Sequence, residues 1–517
     1  MTIPIRSALA AFLVLSLATT AAADVKLAGV FGPHMVLQRG MSVPVWGRAE
    51  AGETVTVTLA GQSKSVTADP HGKWSVRFPS LEAGGPHVLR VQGKTAVEVP
   101  DVLVGEVWLC SGQSNMARTV RVIEPPNMKA EIRAACYPRL RMLQVAHKNA
   151  TTPQDDCAAT WQICSPETVG AFSATAYFFG RDLHQALGVP VGLINASLSG
   201  TRIEAWTSIE AQRAVSDLRP LVEEYERSVK NYDTAAAEQV YQRQLSRWKG
   251  QQSKAKADGK APLSRPMLPH SPDQLPSGFG VLYNAMIAPA APYAIRGAIW
   301  YQGETNASSK PKIYGRQLKT MIANWRETWQ EGDFPFLFVQ LPNFREPQRE
   351  PSEPVGWTLI REQFLQTLRN VPNTGMAVTI DIGQVDNIHP QNKPEVGRRL
   401  ALWALAKTYG RDLVACGPLY RSMKRAGEKI VIEFDDVDGG LVAKGSDKLR
   451  GFVIAGDDKR FVWADARIEG ETVVVSSPEV KTPASVRYGW AMNPACNLYN
   501  KAGLPASPFR TDDWPGR

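Results

Sequence analysis

Three patterns of apolar and polar positions follow one another along the chain. Between residues 25 and 103, short β-rich segments alternate with turns rich in glycine and proline, which predicts a small all-β sandwich. From about residue 104, continuous apolar segments alternate with helical ones, which is typical of a parallel sheet covered by helices on both faces. After about residue 411 the short strands return and predict a second all-β module.

Five apolar segments are predicted to form the parallel sheet, and four of them run into polar, glycine-containing loops. The segments are 107–110, 191–196, 298–301, 336–339 and 376–382. Helices are predicted between them at 174–187, 314–329 and 394–409. Because ligands bind at the carboxyl ends of the strands in an open α/β sheet, we expect the functional site in these loops.

A helical insertion interrupts the α/β pattern. Apolar residues recur there at steps of three and four, at Leu218, Leu221, Val222, Tyr225, Val229 and Tyr232. This spacing predicts amphipathic helices packed on one face of the α/β unit. A coiled-coil partner helix is the alternative, although the apolar stripe does not extend over enough heptads.

The first 23 residues have the composition of an export signal. Arg6 provides a positive charge, an apolar run extends from Ala8 to Ala18, and small residues precede Asp24. The run is short for a membrane span, and no later stretch approaches the roughly 20 apolar residues that a span requires. We predict a cleaved signal and a periplasmic or secreted protein without a membrane span; an uncleaved anchor is the alternative.

A chain of 517 residues is too long for one ordinary domain. The patterns above divide it into five predicted parts. These are a signal peptide (1–23), an N-terminal β-sandwich module (24–103), an α/β domain in two pieces (104–206 and 276–410), a helical insertion (207–275) and a C-terminal β module (411–517).

Composition and charge narrow the class of protein. The apolar fraction of 44% and the charged fraction of 21% are close to the averages for soluble globular proteins. The formal net charge of +9 could suggest a nucleic-acid partner, but basic and acidic residues are interleaved and no basic run alternates with aromatics. We predict no nucleic-acid partner.

The six cysteines indicate no zinc site, because they form no C-x-x-C pair and no cluster with histidine. An oxidising compartment would permit disulfides, and Cys157 and Cys164, the nearest pair in the sequence, are the favoured partners. Buried free thiols are the alternative.

Ser114 has the sequence context of a nucleophile. It follows an apolar strand through Gly112 and Gln113 and is predicted to open a helix. Its hydroxyl would be exposed there, and its own N–H could stabilise an oxyanion. The alternative is that Ser114 only caps the helix, a position that serine favours.

A serine nucleophile needs a base, and His389 is the best candidate among the seven histidines. Asp386 lies three residues before it, so one turn can bring the carboxylate to His389 Nδ1 and fix the tautomer. His184 lies on a predicted helix, and His147 and His270 lie in loops without such a carboxylate.

Two other chemistries compete with the serine mechanism. Glu304 with Asp381 or Asp386 could form the carboxylate pair of a glycosidase, but Ser114 and His389 would then have no role. Metal-dependent hydrolysis is disfavoured because no His-x-x-x-His spacing occurs.

Several motifs together resemble one family. They are Gly112–Met116, Trp300–Asn306 and Asp386-x-x-His389-Pro390, supported by Met35–Arg39, Val43–Gly47, Gly200–Trp206, Val486–Asn500 and Gly503–Pro508. Their order and joint presence resemble the sialate O-acetylesterase family of SGNH hydrolases over nearly all of the chain after residue 23. The resemblance implies an SGNH (flavodoxin-like) three-layer α/β/α catalytic domain and a serine esterase that removes O-acetyl groups from carbohydrates.

The resemblance also implies roles for the candidate residues. Ser114 would attack the acetyl carbonyl, with His389 as the base and Asp386 orienting it. The backbone N–H groups of Ser114 and Gly200 would stabilise the oxyanion, each donor being worth about 3 kcal/mol in such enzymes.

A third oxyanion donor has two candidates. In the wider superfamily it is an asparagine two places after a glycine, whereas Asn306 follows Gly303 by three places. Gln302 therefore competes with Asn306 for this role.

The resemblance implies O-acetylated sialic acid as the substrate, with acetylated xylan or another plant polysaccharide as the alternative. Gln113, Arg202 and Glu304 are predicted to contact the substrate. Arg202 could bind the carboxylate of an acidic sugar, or it could instead pair with Glu204 or another neighbour. The reaction needs no metal or organic cofactor.

A carbohydrate-binding protein without catalytic activity is the remaining alternative. Two β modules beside an α/β core would suit it, and exposed tryptophans could stack on sugar rings. The intact set of Ser114, Asp386 and His389 argues against it.

Overall fold

The computed structural model describes residues 24–124, 127–351 and 355–514. Residues 1–23, where the signal peptide is predicted, lie outside the described residues. The described chain is a mixed α/β protein with one large central sheet and further all-β sheets near its C-terminus. None of the helices in these three ranges combines the length and the apolar character that a membrane crossing needs.

Eight strands form the N-terminal part of the chain. They are β1 (Lys26–Leu27), β2 (Val36–Gln38), β3 (Val43–Arg48), β4 (Thr54–Leu59), β5 (Gln62–Thr67), β6 (Lys73–Phe78), β7 (Gly84–Gln92) and β8 (Ala96–Gly112). β1, β3 and β6 form a three-stranded sheet, whereas β2, β4, β5 and β7 belong with β8 to a larger one. The alternating pattern of β4 buries Val55 and Val57 and leaves the threonines between them more exposed.

β8 joins the N-terminal strands to the centre of the molecule. It is 17 residues long and runs through the boundary predicted at residue 103. Its first part pairs with β7 and β2. Glu106, near its middle, is fully buried and forms ion pairs with Arg39 at 2.5 Å and Arg296 at 2.9 Å. This cluster holds the N-terminal strands and the central sheet together.

The second half of β8 lies within a set of alternating strands and helices. These are α1 (Ser114–Ala117), α2 (Met128–Ala134), β9 (Tyr137–Val145), β10 (Ala159–Cys164), α3 (Ala174–Leu187), β11 (Val191–Ser197), α4 (Ile209–Ala214), α5 (Arg219–Lys230), α6 (Thr234–Ala257), β12 (Gly297–Tyr301), α7 (Glu304–Ala307), α8 (Tyr314–Trp329), β13 (Phe336–Val339), α9 (Gly356–Asn370), β14 (Thr374–Ala377) and α10 (Lys393–Trp403). The strand order is β10-β9-β11-β8-β12-β13-β14. Every neighbouring pair is parallel except β9 and β10.

The predicted strands and helices of this part are present, with one strand shorter than expected. β14 ends at Ala377, so the strand predicted over residues 376–382 is wrong from residue 378 onward. The neighbouring strand β13 ends at Val339, opposite Ala377, and offers no ladder partner beyond that point. α2, β9, β10 and α9 were not expected from the sequence.

The register of the central strands places three loops side by side. Gly112 at the end of β8 lies opposite Ser197 of β11 on one side and Tyr301 of β12 on the other. All three strands run in the same direction and are buried along this part, which suits their apolar sequences. The chain therefore leaves all three strands at the same level of the sheet.

The predicted helical insertion contains α4, α5 and α6. The apolar stripe of α5 buries Val222, and Tyr225 stacks on Phe279 with ring centroids 4.6 Å apart. Tyr241 and Ala255 are the buried residues of α6. The insertion thus packs through a narrow stripe and exposes most of its polar surface.

Short strands form the C-terminal part. They are β15 (Leu419–Ala426), β16 (Lys429–Asp435), β17 (Leu441–Ala443), β18 (Phe452–Ala455), β19 (Val462–Trp463), β20 (Asp465–Glu469), β21 (Thr472–Ser476), β22 (Ser485–Tyr488), β23 (Leu498–Asn500) and β24 (Phe509–Arg510). They form two four-stranded sheets and one two-stranded sheet. Arg361 of α9 is fully buried and donates to the carbonyls of Ala491 (2.6 Å) and Met492 (2.9 Å), which joins this part to the central helices.

All six cysteines lie among the described residues, and all are free thiols. Cys157 and Cys164, the pair favoured as a disulfide, are both buried and unbonded to each other, and burial raises the pKa of each thiol to about 12. The structure therefore matches the alternative of buried free thiols at these two positions.

Candidate active site

The loops after β8, β11 and β12 meet at one edge of the central sheet. Ser114 begins α1 directly after β8 and is partly exposed. Gly112, two residues earlier, has a φ of +142°, and a Cβ atom there would lie 2.2 Å from the carbonyl oxygen of Tyr301. Only glycine fits this close approach. The chain can therefore turn sharply at the strand end and present Ser114 at the sheet edge.

The backbone N–H groups of Ser114 and of Gly200, in the neighbouring loop, are free to bind a ligand. Neither the N–H of Ser114 nor that of Gly200 donates a hydrogen bond to any described residue. The two loops are tied together by the N–H of Leu198, which donates to the carbonyl of Gly112 at 3.1 Å. Thr201 closes the second loop through its hydroxyl, which donates to the carbonyl of Leu198 at 2.8 Å. Unpaired N–H groups on neighbouring loops are the kind of donor that can stabilise an oxyanion.

His389 lies on a turn that is attached to the residue after Ser114. The Asn115 side chain donates to the carbonyl of Ile388 at 3.1 Å, next to His389. Burial lowers the pKa of His389 below its ordinary 6.5, and the nearby cations Arg118 and Lys393 lower it further. A histidine in this environment is neutral near pH 7 and can act as a base.

Asp386 is exposed and lies apart from the ring of His389. Within the described ranges, its carboxylate accepts no hydrogen bond from His389. The side chain of Asn387 instead accepts from the His389 N–H at 2.9 Å and closes the turn. The structure thus brings Ser114 and His389 to one edge of the sheet and leaves the predicted orienting carboxylate at the surface.

A buried polar network lies beneath Ser114 and His389. Asn115 is fully buried; its side-chain Nδ2 donates to Glu304 at 2.5 Å, and its side-chain Oδ1 accepts from Lys393 Nζ at 2.5 Å. The Lys393 ammonium lies 5.0 Å from the ring centroid of Tyr301. Burial raises the pKa of Glu304 and lowers that of Lys393 to about 7. This network connects the start of α1 to the start of α10.

Glu304 therefore differs from its predicted role as a substrate contact. Its side chain is only 6% exposed, one carboxylate oxygen is bound to Asn115, and the other is sealed from solvent. Asp381, its possible partner in a glycosidase, forms a two-point ion pair with Arg399 at 2.6 and 2.8 Å. Both carboxylates are engaged inside the protein, which removes the geometric basis for a glycosidase.

Gln302 and Asn306, the two candidates for a third oxyanion donor, lie wholly inside the protein. Gln302 Nε2 is within hydrogen-bond distance of three acceptors: Asn306 Oδ1 at 2.7 Å, Gln113 Oε1 at 3.1 Å and the Thr201 carbonyl at 3.2 Å. Asn306 Nδ2 donates to Glu204 at 3.0 Å. These amides join the loops to one another, and the structure places neither at an open position.

Arg202 and Gln113, the other predicted substrate contacts, have different surroundings. Arg202 is exposed and forms no ion pair with any described carboxylate; Glu204 is buried and bonded to Asn306 instead. Gln113 is 3% exposed, and its side-chain oxygen is bound by Gln302. The sequence missed Asn115, Arg118 and Lys393; only Asn115 carried a signal, as part of the motif around Ser114.

Comparisons with known proteins identify the family of the chain. Residues 104–253 and 273–406 match the family described as carbohydrate esterase, sialic acid-specific acetylesterase. The chain is 31% identical to the sialate O-acetylesterase of Rattus norvegicus over 94% of each chain. It is 30% identical to that of Homo sapiens over 95% of this chain and 94% of the human one. A crystal structure of a carbohydrate acetylesterase from Xanthomonas citri shares 36% identity with a TM-score of 0.79, covering 95% of this chain and 100% of that one.

The Asn115 network gives a stability prediction. Replacing Asn115 with alanine leaves buried Glu304 and Lys393 without their shared partner, so the free energy of unfolding should fall by about 1–3 kcal/mol. Urea denaturation measures the change. Asn231→Ala, at the exposed end of α5, is the control and should shift the value by less than about 0.5 kcal/mol. Equal shifts for the two variants would show that the network does not stabilise the fold.

Proposed function

The chain belongs to the carbohydrate esterase family of sialic acid-specific acetylesterases, and from that premise we propose how it acts and on which sugar. It is a carboxylic ester hydrolase that removes O-acetyl groups from carbohydrates. The substrate that we propose is O-acetylated sialic acid. The observation that carries this choice is the match to sialate O-acetylesterases along 94% of the chain.

The architecture supports an SGNH hydrolase domain. The strands β9, β11, β8, β12, β13 and β14 are parallel, and the candidate residues follow the carboxyl ends of β8, β11 and β12. The order of the motifs around Ser114, Gly200 and His389 along the sequence resembles that of the superfamily and supports the same proposal. We also propose a periplasmic or secreted location, for which the support is the composition of residues 1–23 alone.

Acylation begins at Ser114. Its Oγ attacks the acetyl carbonyl while His389 accepts the hydroxyl proton, and negative charge develops on the carbonyl oxygen. The N–H groups of Ser114 and Gly200, which have no acceptor among the described residues, donate to that oxygen. The tetrahedral intermediate then collapses, and the sugar hydroxyl leaves with the proton from His389.

Deacylation repeats the same steps with water. His389 takes a proton from water as the water oxygen attacks the acetyl group on Ser114. When the tetrahedral intermediate collapses, His389 returns that proton to Ser114 Oγ, and acetate is released. The lowered pKa of His389 keeps it neutral at the start of acylation and of deacylation, when it must accept a proton. The support for Asp386 as the orienting acid is its position three residues before His389 in the sequence.

The direct test of the function is acetate release from O-acetylated sialic acid and from acetylated xylan. We expect release from the sialic acid substrate and a loss of at least about a thousandfold in kcat for Ser114→Ala, since the nucleophile is removed. Ser216→Ala, an exposed serine between α4 and α5, should retain full activity. Preference for xylan would overturn the proposed sugar, and an active Ser114→Ala enzyme would overturn the proposed nucleophile.

The electrostatic surroundings of His389 give a pH prediction. Because the base must be neutral, kcat/KM should rise with pH through the pKa of His389, with a midpoint below 6.5. Arg118→Gln removes a nearby positive charge that opposes protonation, so the pKa and the midpoint should both move upward. Arg121→Gln, an exposed neighbour, is the control and should leave the midpoint unchanged. A midpoint above 6.5, or no shift in Arg118→Gln, would contradict this assignment.

A further inference from the structure

The end of the helical insertion forms a basic arm that the proposed function does not use. The arm consists of residues 234–270, which are α6 and the return segment 258–270 that follows it. Seven basic residues against two acidic ones leave the arm an excess of five positive charges, more than half of the +9 of the whole chain. The basic residues are all exposed, and they are Arg243, Arg247, Lys249, Lys254, Lys256, Lys260 and Arg265. Among the described residues, only Lys260 of this set forms an ion pair, with Asp258. Most of this charge is therefore available to an anionic partner.

The return segment is held against α6 by three hydrogen bonds. Trp248 Nε1 donates to the carbonyl of Leu263 at 3.0 Å, and the N–H of Leu263 donates to Gln252 Oε1 at 2.7 Å. The Arg265 guanidinium donates to the hydroxyl of Tyr241 at 3.4 Å. Later residues of the segment thus contact earlier residues of α6, so the segment runs back along the helix. Its backbone faces α6, and its side chains have a defined surface on which to lie.

Three large apolar side chains of the return segment lie in solvent. Met267 is 87% exposed, Leu268 is 44% exposed and Leu263 is 41% exposed. Single exposed apolar residues are common on protein surfaces, but three of them within six positions form a patch, and such patches mark interaction sites. The patch requires a partner that offers an apolar environment.

Basic side chains surround this apolar patch. Trp248 and Ala255 lie on the side of α6 that is turned away from solvent, and Trp248 is bound by the return segment. Lys249 and Lys256 follow these two residues directly, and their separation of seven positions is about two helical turns. Both lysines therefore project from the same side of α6, beside the return segment. Two further cations lie in the segment itself, Lys260 and Arg265.

We infer that the arm docks this protein on the surface of an anionic lipid bilayer. The basic side chains bind the lipid phosphates, and Met267 and Leu268 enter the boundary between headgroups and acyl chains. A bilayer offers both anions and an apolar phase, whereas a soluble polyanion such as an acidic polysaccharide offers only the anions. The combination of charge and exposed apolar side chains therefore favours the bilayer.

This docking goes beyond the proposed esterase activity. The arm contributes no residue to the site around Ser114 and His389. Residues 254–272 also lie between the two stretches that match the family, 104–253 and 273–406. The return segment is thus an addition to the part of the chain that the family model describes.

Co-sedimentation with lipid vesicles tests the inference. The full chain is mixed with vesicles of phosphatidylglycerol and phosphatidylcholine, or of phosphatidylcholine alone, and intact mass shows that residues 1–23 are in the same state in every variant. We expect binding to the anionic vesicles that weakens with salt, because the screening length falls from about 10 Å at 0.1 M to about 3 Å at 1 M. Equal binding to both kinds of vesicle, or none to either, overturns the inference.

A charge-reversal variant locates the binding surface. Lys249→Glu/Lys256→Glu should weaken binding to the anionic vesicles by at least about tenfold, since each lysine near such a surface contributes about fivefold. The control Lys424→Glu/Lys429→Glu changes the net charge equally at exposed positions of β15 and β16, and it should leave the affinity within about twofold of the wild type. Equal losses in the two variants would show that net charge alone attracts the protein, and the arm would have no special role.

An apolar variant separates a bilayer from a soluble polyanion. Met267→Ser/Leu268→Ser keeps every charge but removes the inserting side chains, so the affinity for anionic vesicles should fall by about tenfold. The control Met423→Ser/Val88→Ser removes exposed apolar side chains from β15 and β7 and should bind as the wild type does. If Met267→Ser/Leu268→Ser also binds as the wild type does, the arm recognises anions through charge alone and the bilayer inference is wrong.

Acetate release from soluble O-acetylated sialic acid distinguishes this inference from the proposed function. Every arm variant should release acetate at the rate of the wild type and keep its thermal midpoint of unfolding. A variant of unchanged midpoint that loses acetate release would place the arm in the substrate site and overturn the inference. Failure of the proposed function would instead appear as a wild type that releases no acetate, whatever its binding to vesicles.

Discussion

The parallel register of β8 with β11 and β12 is the constraint on which the site depends. Gly112 stands opposite Ser197 and Tyr301, so three loops leave the sheet at the same level. A side chain at Gly112 would collide with the Tyr301 carbonyl. The close packing of these strand ends therefore puts Ser114 beside the Gly200 loop and above the loop that begins at Gln302.

Two clusters of buried amide side chains join these loops by hydrogen bonds and hold the site rigid. Gln302 and Asn306 connect the loops after β8, β11 and β12, and Asn115 connects α1 to the turn of His389 and to Lys393. Buried polar groups are costly unless they are paired, and when paired they specify one arrangement. The same network brings a cation near His389, so the scaffold also controls the charge state of the base.

The sequence predicted the parts of this structure that depend on apolar runs and local turns. The strands carrying the site and the helices α3 and α8 follow directly from such runs. β9 was missed because arginines interrupt its apolar pattern; Arg141 is nevertheless buried, paired with Asp101 at 2.7 Å. α9 was missed in the same way, since Arg361 within it is fully buried and bonded to backbone carbonyls. Long-range pairing of this kind leaves no local signal.

The sequence also could not predict the direction in which the side chains of these loops point. The motif Trp300–Asn306 placed Gln302, Glu304 and Asn306 near the site, but each turns inward to other protein groups. The spacing of Asp386 and His389 suggested a direct contact that the structure does not contain within its described residues. Tertiary packing decides these orientations, because each inward amide or carboxylate needs partners from distant segments.

Covalent labelling with a fluorophosphonate tests the central claim most directly. Such a reagent phosphonylates a serine whose hydroxyl is activated by a base and whose oxyanion is stabilised. The account predicts stoichiometric labelling on the peptide that contains Ser114, with parallel loss of acetate release. An unlabelled protein, or a label on another residue while acetate release continues, would contradict it.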